Sequence, residues 1–161
     1  MAERPDAEGV CRGPATRQTA AATIVAAGLL AYVCPLGAVA DTALTAADWA
    51  GTWRGTYECN QGATGLDLTI TPIEKGGVTA IFSFHAVLFN PLVPSGEFAM
   101  EGELGPEPGR LHLRAGTWIV QPPDYVTVDL DGTYDEISKE YRGTVIGPGC
   151  TSFRLQRGIP I

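Results

Sequence analysis

The chain has 161 residues, of which 45% are hydrophobic, enough for one domain with a core of its own. Its 18 Asp and Glu residues outnumber its 11 Lys and Arg residues, which gives a net charge of −7. Nucleic acids and anionic membranes attract clusters of Lys and Arg, so this acidic balance argues against both as partners.

Residues 1–40 have the pattern of an export signal. Arg12 and Arg17 precede an apolar run that ends at Ala40 in the sequence Ala-Val-Ala, and small residues at these positions are typical of a signal-peptidase site. We therefore predict cleavage after Ala40, a single domain over 41–161, and a secreted or periplasmic protein. In the alternative interpretation the segment is retained as an anchor, which is the one case in which the sequence predicts membrane attachment.

Two of the four cysteines, Cys59 and Cys150, lie in the predicted mature chain. An even number of cysteines in an exported protein predicts a disulfide. The alternative is a pair of buried free thiols.

The remainder of the chain has the pattern of an all-β domain. Thr45 and Asp48 form a capping pattern that predicts a short helical turn. After it, apolar and polar residues alternate, and clusters of Gly, Pro, Asn and Asp interrupt the alternation. This period of two is typical of antiparallel sheet with one face in water. The predicted strands are 52–59, 66–72, 78–89, 97–104, 110–119, 125–131, 140–146 and 151–157.

The alternation also predicts which side chains point inward. On the third strand the inward face includes Ala86 and Leu88, and on the sixth it begins at Val126. The other predicted inward residues are Leu66, Leu68, Ile70, Phe82, Phe84, Leu111, Leu113, Val128 and Leu130.

The two cysteines bear on how the sheet is arranged. In an up-and-down sheet of eight strands that closes on itself, the first and last strands are antiparallel neighbours, so Cys59 would lie beside Cys150. The sequence therefore favours an eight-stranded antiparallel up-and-down barrel, with a two-sheet sandwich as the alternative. Because alternation points Cys59 inward and Cys150 outward, we also predict a β-bulge near Thr151.

The entry to the first strand carries a family resemblance. Gly51-Thr52-Trp53, after a short helical turn, resembles the Gly-x-Trp entry of the calycins, which include lipocalins and avidins. The resemblance implies a lipocalin-like barrel in which a late arginine packs over the tryptophan. Arg154 and Arg157 are the two candidates to cover Trp53 by a cation–π contact.

Few residues have the spacing of a catalytic or metal site. His85 and His112 each fall on the polar face of a strand, without a second ligand at metal-binding spacing. Asp129 and Asp131 share one face, but two carboxylates are too few for a cation site. Ser95 lies in a proline-rich loop without the motif of a nucleophile elbow. We predict no catalytic residue, no metal and no cofactor.

The loops after strands one, three, five and seven would share one end of the barrel. Prolines in these loops lower the entropy lost on binding, and exposed aromatic residues are favoured contacts. We hypothesise that a ligand or partner binds at this end, through Phe89, Leu92, Val93, Trp118, Ile119 and Tyr125. Alternatively, these side chains plug the barrel, as side chains do in small barrels.

The leading functional hypothesis is an exported binding module without catalysis, which presents these loops to a small ligand or an extracytoplasmic protein. The large inward residues favour contacts made by the loops over a ligand held inside. An alternative is an inhibitor of a secreted hydrolase, either lysozyme or a protease, because Tyr57-x-Cys59 with a late cysteine resembles the periplasmic lysozyme inhibitors. A third hypothesis is a hydrolase that uses Glu101, Glu103 or Glu107.

Overall fold

The computed structural model describes residues 44–158, apart from the side chain of Lys75. The predicted signal segment and its cleavage site lie outside the described residues. A 3-10 turn, Ala46–Trp49, precedes the first strand, and a second, Glu74–Gly76, joins the second and third strands. The strands are β1 Gly51–Cys59, β2 Gly62–Pro72, β3 Val78–His85, β4 Gly96–Leu104, β5 Arg110–Val120, β6 Asp129–Asp135, β7 Glu140–Ile146 and β8 Ser152–Arg157.

These strands form one closed barrel in up-and-down order. Each strand pairs antiparallel with the next, and β8 pairs with β1 from Trp53–Arg157 to Tyr57–Phe153. The predicted all-β, eight-stranded antiparallel barrel is confirmed, and the two-sheet sandwich is excluded.

A disulfide joins Cys59 at the end of β1 to Cys150 just before β8, as the sequence predicted. The backbone N–H of Thr151 donates to the carbonyl of Glu58 at 2.9 Å, one residue out of register with the Tyr57–Phe153 pair. This shift lies where the bulge was predicted, and it brings the two sulfurs to the same side of the wall.

Aromatic side chains close one end of the barrel. Trp49 is the last residue of the first 3-10 turn, at whose start the backbone N–H and hydroxyl of Thr45 donate to the Asp48 carboxylate at 2.8 and 2.7 Å. Its ring lies 5.4 Å from Trp53 and 4.8 Å from Tyr141, centroid to centroid. All three rings are buried, so this end of the barrel is filled.

The predicted inward position of Leu88 is wrong. β3 ends at His85, and the chain then turns tightly where the N–H of Asn90 donates to the carbonyl of Val87 at 2.9 Å. Alternation ends with the strand, so Leu88 is 97% exposed at the tip of this turn.

The predicted start of β6 is also wrong. β6 begins at Asp129, and Val126 is 60% exposed. β5 and β6 pair only over Arg110–Leu113. Beyond that point the Asp129 carboxylate accepts the Ala115 N–H at 2.7 Å, in place of a strand partner.

β2 begins four residues earlier than the predicted residue 66. Cys59 pairs with Gly62, so Asn60 and Gln61 alone form the turn between β1 and β2. Two-residue turns are the commonest connections of hairpins, and the glycine-rich sequence here extends the ladder instead of interrupting it.

Candidate binding site

We call the end of the barrel that Trp49, Trp53 and Tyr141 fill the plugged end. The four connections at the opposite end form what we call the mouth. They are residues 60–61, 86–95, 121–128 and 147–151. As the up-and-down topology predicts, the connections after β1, β3, β5 and β7 all lie at this end.

The mouth opens into a pocket of about 510 Å³ between the barrel wall and the β5–β6 connection. Its volume lies within the range of about 300–1,000 Å³ that is typical of small-molecule sites. We call this cavity the mouth pocket. Its lining residues are Tyr57, Cys59, Asn60, Gln61, Phe82, Phe84, Phe98, Asp124, Tyr125, Val126, Val128, Pro148 and Cys150.

Aromatic rings form much of the pocket wall. Phe82 and Phe98 are stacked across β3 and β4, with centroids 4.5 Å apart. Tyr125 reaches from the β5–β6 connection to stack on Phe84 at 5.3 Å, with the planes 12° apart. Tyr57 meets Phe82 edge to face at 5.3 Å. These rings give the pocket flat apolar surfaces at fixed angles.

A few polar groups enter this apolar wall. Gln61 lies with its Nε2 atom 3.3 Å from the Tyr57 hydroxyl and 3.4 Å from the Thr64 hydroxyl. Burial raises the pKa of Tyr57 well above its ordinary value, so the phenol is neutral at physiological pH. Asp124, the charged residue among the lining residues, lies at the exposed rim with a φ of +65°. The pocket therefore suits a mostly uncharged ligand.

The β3–β4 connection is fastened to the neighbouring hairpin. The side-chain amide of Asn90 donates to the carbonyls of Gln61 and Ala63, at 2.8 and 3.0 Å. These bonds fix the position of the turn tip, formed by Leu88 and Phe89, relative to the pocket.

The six residues predicted to bind a ligand fall into three environments. Tyr125 lines the mouth pocket. Val93 is buried in the core, and Trp118 packs edge to face against Phe98 at 5.1 Å, so both support the wall. The remaining three, Phe89, Leu92 and Ile119, are exposed at the mouth and are not among the pocket-lining residues.

Sequence reasoning assigned other pocket residues to the core or did not consider them. Phe82 and Phe84 point inward and are buried in the core, as predicted, and they also line the mouth pocket. Tyr57 and Phe98 lie on strands that enter the mouth, and inward aromatic residues near the mouth ends of strands are the signal that could have identified them.

Arg157 and Arg154, the two candidates to cover Trp53, have different surroundings. The guanidinium carbon of Arg157 lies 4.7 Å from the centroid of the Trp53 ring. Arg154 pairs opposite Thr56 instead, and its Nε atom lies 3.6 Å from a carboxylate oxygen of Glu140. The expectation that Arg154 could cover the ring is therefore corrected, because side chains three positions apart on a strand point to opposite faces.

The carboxylates considered for a cation site have other partners. Asp131 accepts two hydrogen bonds from the Arg110 guanidinium, at 3.2 and 2.8 Å, and Asp129 accepts the Ala115 N–H described above. Within residues 44–158 no group of three or more His, Cys, Asp or Glu side chains is placed to hold a metal ion.

No protein-family model matches the chain, and searches of curated proteins and of solved structures also returned no match. The barrel architecture is consistent with a calycin-like fold. The disulfide is consistent with an oxidising, extracytoplasmic location. In the part of the chain that the structure describes, no helix has the length and apolar character needed to cross a membrane.

Proposed function

We propose that this chain is an exported, calycin-like binding protein without catalytic activity, whose mouth pocket holds a small, largely apolar molecule. The observation that carries the proposal is the aromatic-walled cavity of about 510 Å³ at the open end of a barrel whose other end is filled. Eight-stranded barrels of this size either fill with side chains or hold one small ligand.

The lining of the pocket indicates the class of ligand. Stacked rings offer parallel apolar surfaces, which favour a molecule with a flat aromatic or conjugated group. The neutral Tyr57 hydroxyl and the Gln61 amide can fix its orientation through one or two hydrogen bonds. A strongly anionic ligand is disfavoured, because Asp124 is at the rim and the pocket lining contains no Lys or Arg.

The proposal is tested with N-phenyl-1-naphthylamine, an uncharged probe with a naphthyl and a phenyl group that fluoresces when it leaves water. The exported protein should bind one equivalent of the probe saturably. Tyr125→Ala should weaken that binding by about tenfold, because it removes one wall and its stacking contact with Phe84.

Tyr134→Ala is the matched control. Tyr134 is also a partly buried tyrosine, but it packs edge to face on Trp53 at the plugged end of the barrel. This variant should lower the melting temperature and leave probe affinity unchanged. Equal loss of binding in both variants, or no saturable binding by the parent protein, would refute the proposal. Inhibition of lysozyme or a protease by the parent protein would favour the inhibitor hypothesis instead.

A further inference from the structure

Charge is unevenly distributed between the two ends of the barrel. Among the residues of the four mouth connections Asp124 alone is charged, although the chain carries a net charge of −7. The turns at the opposite end carry Glu74, Lys75, Glu107, Glu136 and Lys139 in the sequence. The mouth connections therefore cost less to remove from water than the turns at the opposite end.

Large apolar side chains are exposed at this same end. Leu92 is 92% exposed and Phe89 76% exposed, in addition to Leu88 at the turn tip. Leu88, Phe89 and Leu92 lie within the single connection between β3 and β4, and exposed apolar patches on soluble proteins mark interaction sites. We call the set the apolar rim; it consists of Leu88, Phe89, Leu92, Ile119, Val120 and Val126.

The exposure of the turn tip is built into the fold. The Asn90 N–H closes the turn on Val87, and the Asn90 side chain holds the turn on the β1–β2 hairpin through two hydrogen bonds. Leu88 and Phe89 therefore project from a fixed support, and inserting them elsewhere costs little further backbone entropy.

The composition of the apolar rim distinguishes a lipid surface from a protein partner. Protein interfaces depend on Trp, Tyr and Arg, with Leu and Val under-represented among their energetically dominant residues. Five of the six rim residues are aliphatic and the sixth is Phe89. Leu, Ile, Val and Phe are the side chains that enter a bilayer favourably. We propose that the apolar rim inserts into the surface of an uncharged lipid bilayer, so that the mouth faces the membrane.

The charge distribution specifies the kind of bilayer. The mouth connections contain no Lys or Arg to attract anionic headgroups, and the net charge of −7 is repelled by them. The interaction is therefore apolar, and it should be strongest with zwitterionic lipid and insensitive to salt. Val126 belongs to both the apolar rim and the pocket lining, whereas Leu88 and Phe89 lie outside that lining, so variants at these two positions test the membrane proposal separately from the proposed ligand.

The test is sedimentation of the exported protein with phosphatidylcholine vesicles. The N-terminus is first determined by mass spectrometry, so that a retained leader is not mistaken for rim binding. The parent protein should co-sediment with the vesicles at both 0.05 and 0.5 M NaCl. The double variant Leu88→Ser, Phe89→Ser should bind at least about tenfold more weakly, because two exposed apolar side chains are lost.

Ile137→Ser is the matched control, because Ile137 is 96% exposed in the β6–β7 turn at the opposite end. It should bind vesicles as the parent does. A second readout uses brominated phosphatidylcholine, which should quench the fluorescence of Trp118 near the mouth, and the quenching should be lost in Trp118→Phe.

The proposal is overturned if the parent protein remains in the supernatant, or if Ile137→Ser and the double variant lose binding equally. Binding that needs anionic lipid and falls with salt would also overturn it. So would a dimer in light scattering that the double variant dissociates, because the rim would then be a contact between two copies of the chain. If the parent protein binds vesicles but does not bind the probe, only the proposed ligand is refuted.

Discussion

Arg154 and Arg157 lie three residues apart on the last strand, and only Arg157 is built into the plugged end. Its guanidinium lies over Trp53 and donates to the backbone carbonyls of Asp48 and Ala50. It thereby connects the N-terminal turn to the last strand. Arg154 forms a single long ion pair on the surface, and such pairs contribute little to stability.

Replacing these two arginines separates their contributions. Arg157→Ala should lower the free energy of unfolding by about 1–2 kcal/mol, through loss of the cation–π contact and of hydrogen bonds from a charged donor. Arg154→Ala should change it by less than about 0.5 kcal/mol. Urea unfolding of the two variants beside the parent measures both values. Equal effects would show that the contact with Trp53 contributes nothing.

Two buried tyrosines make stability depend on alkaline pH. Burial raises the pKa of Tyr57 and of Tyr141 far above 10, whereas both phenols ionise near pH 10 in the unfolded chain. The unfolded state therefore binds fewer protons than the folded state above pH 10. The free energy of unfolding should be unaffected by these groups below pH 10, and should fall above it by up to about 1.4 kcal/mol per pH unit for each tyrosine.

Urea unfolding between pH 8 and 11.5 checks this dependence. Tyr141→Phe should reduce the slope of the free energy of unfolding against pH above pH 10. It also removes the hydrogen bond from the Tyr141 hydroxyl to the Leu111 carbonyl, so it should lower stability near neutral pH. An unchanged slope in this variant would contradict the assignment.

At the scale of the elements, strand number and order could be predicted from the sequence, but the loops of the mouth could not. The alternation of Leu66, Leu68 and Ile70 identifies a strand, because every second side chain faces the core and a short stretch of sequence is enough to show this. The apolar residues Leu88 and Val126 continue the same alternation beyond their strands. A hydrophobic pattern does not record where the ladder ends, which depends on the turn closed by the Asn90 N–H and on the Asp129 carboxylate that accepts the Ala115 N–H.

The candidate site was only partly predictable for a related reason. Tyr125 has no periodic signal, and its position over Phe84 depends on how the β5–β6 connection crosses the mouth. Volume is also absent from a linear pattern: Phe82 and Phe98 are inward residues whether they fill a core or stack along the wall of a cavity. The sequence could identify the mouth as the candidate end of the barrel, but it could not show that a pocket lies there.

At the scale of the whole molecule, closure of the barrel depends on the β1–β8 ladder and its disulfide. The bond spans 91 positions in the sequence, so it restricts most of the described chain in the unfolded state. In the chain-entropy account, Cys59→Ala with Cys150→Ala should lower the free energy of unfolding by about 4.5 kcal/mol. Urea unfolding of the double variant measures this loss, and a change below about 1 kcal/mol would show that the ladder alone closes the barrel.

The plugged end also determines where the two ends of the described chain lie. The turn that precedes β1 and the last residues of β8 meet there, where the N–H of Gly158 donates to the carbonyl of Thr52 at 2.7 Å. An affinity tag, a fluorescent fusion or a surface linker attached at either end of the described residues would therefore lie at the plugged end, away from the mouth pocket. Immobilised preparations of this protein should keep their opening accessible to whatever is passed over them.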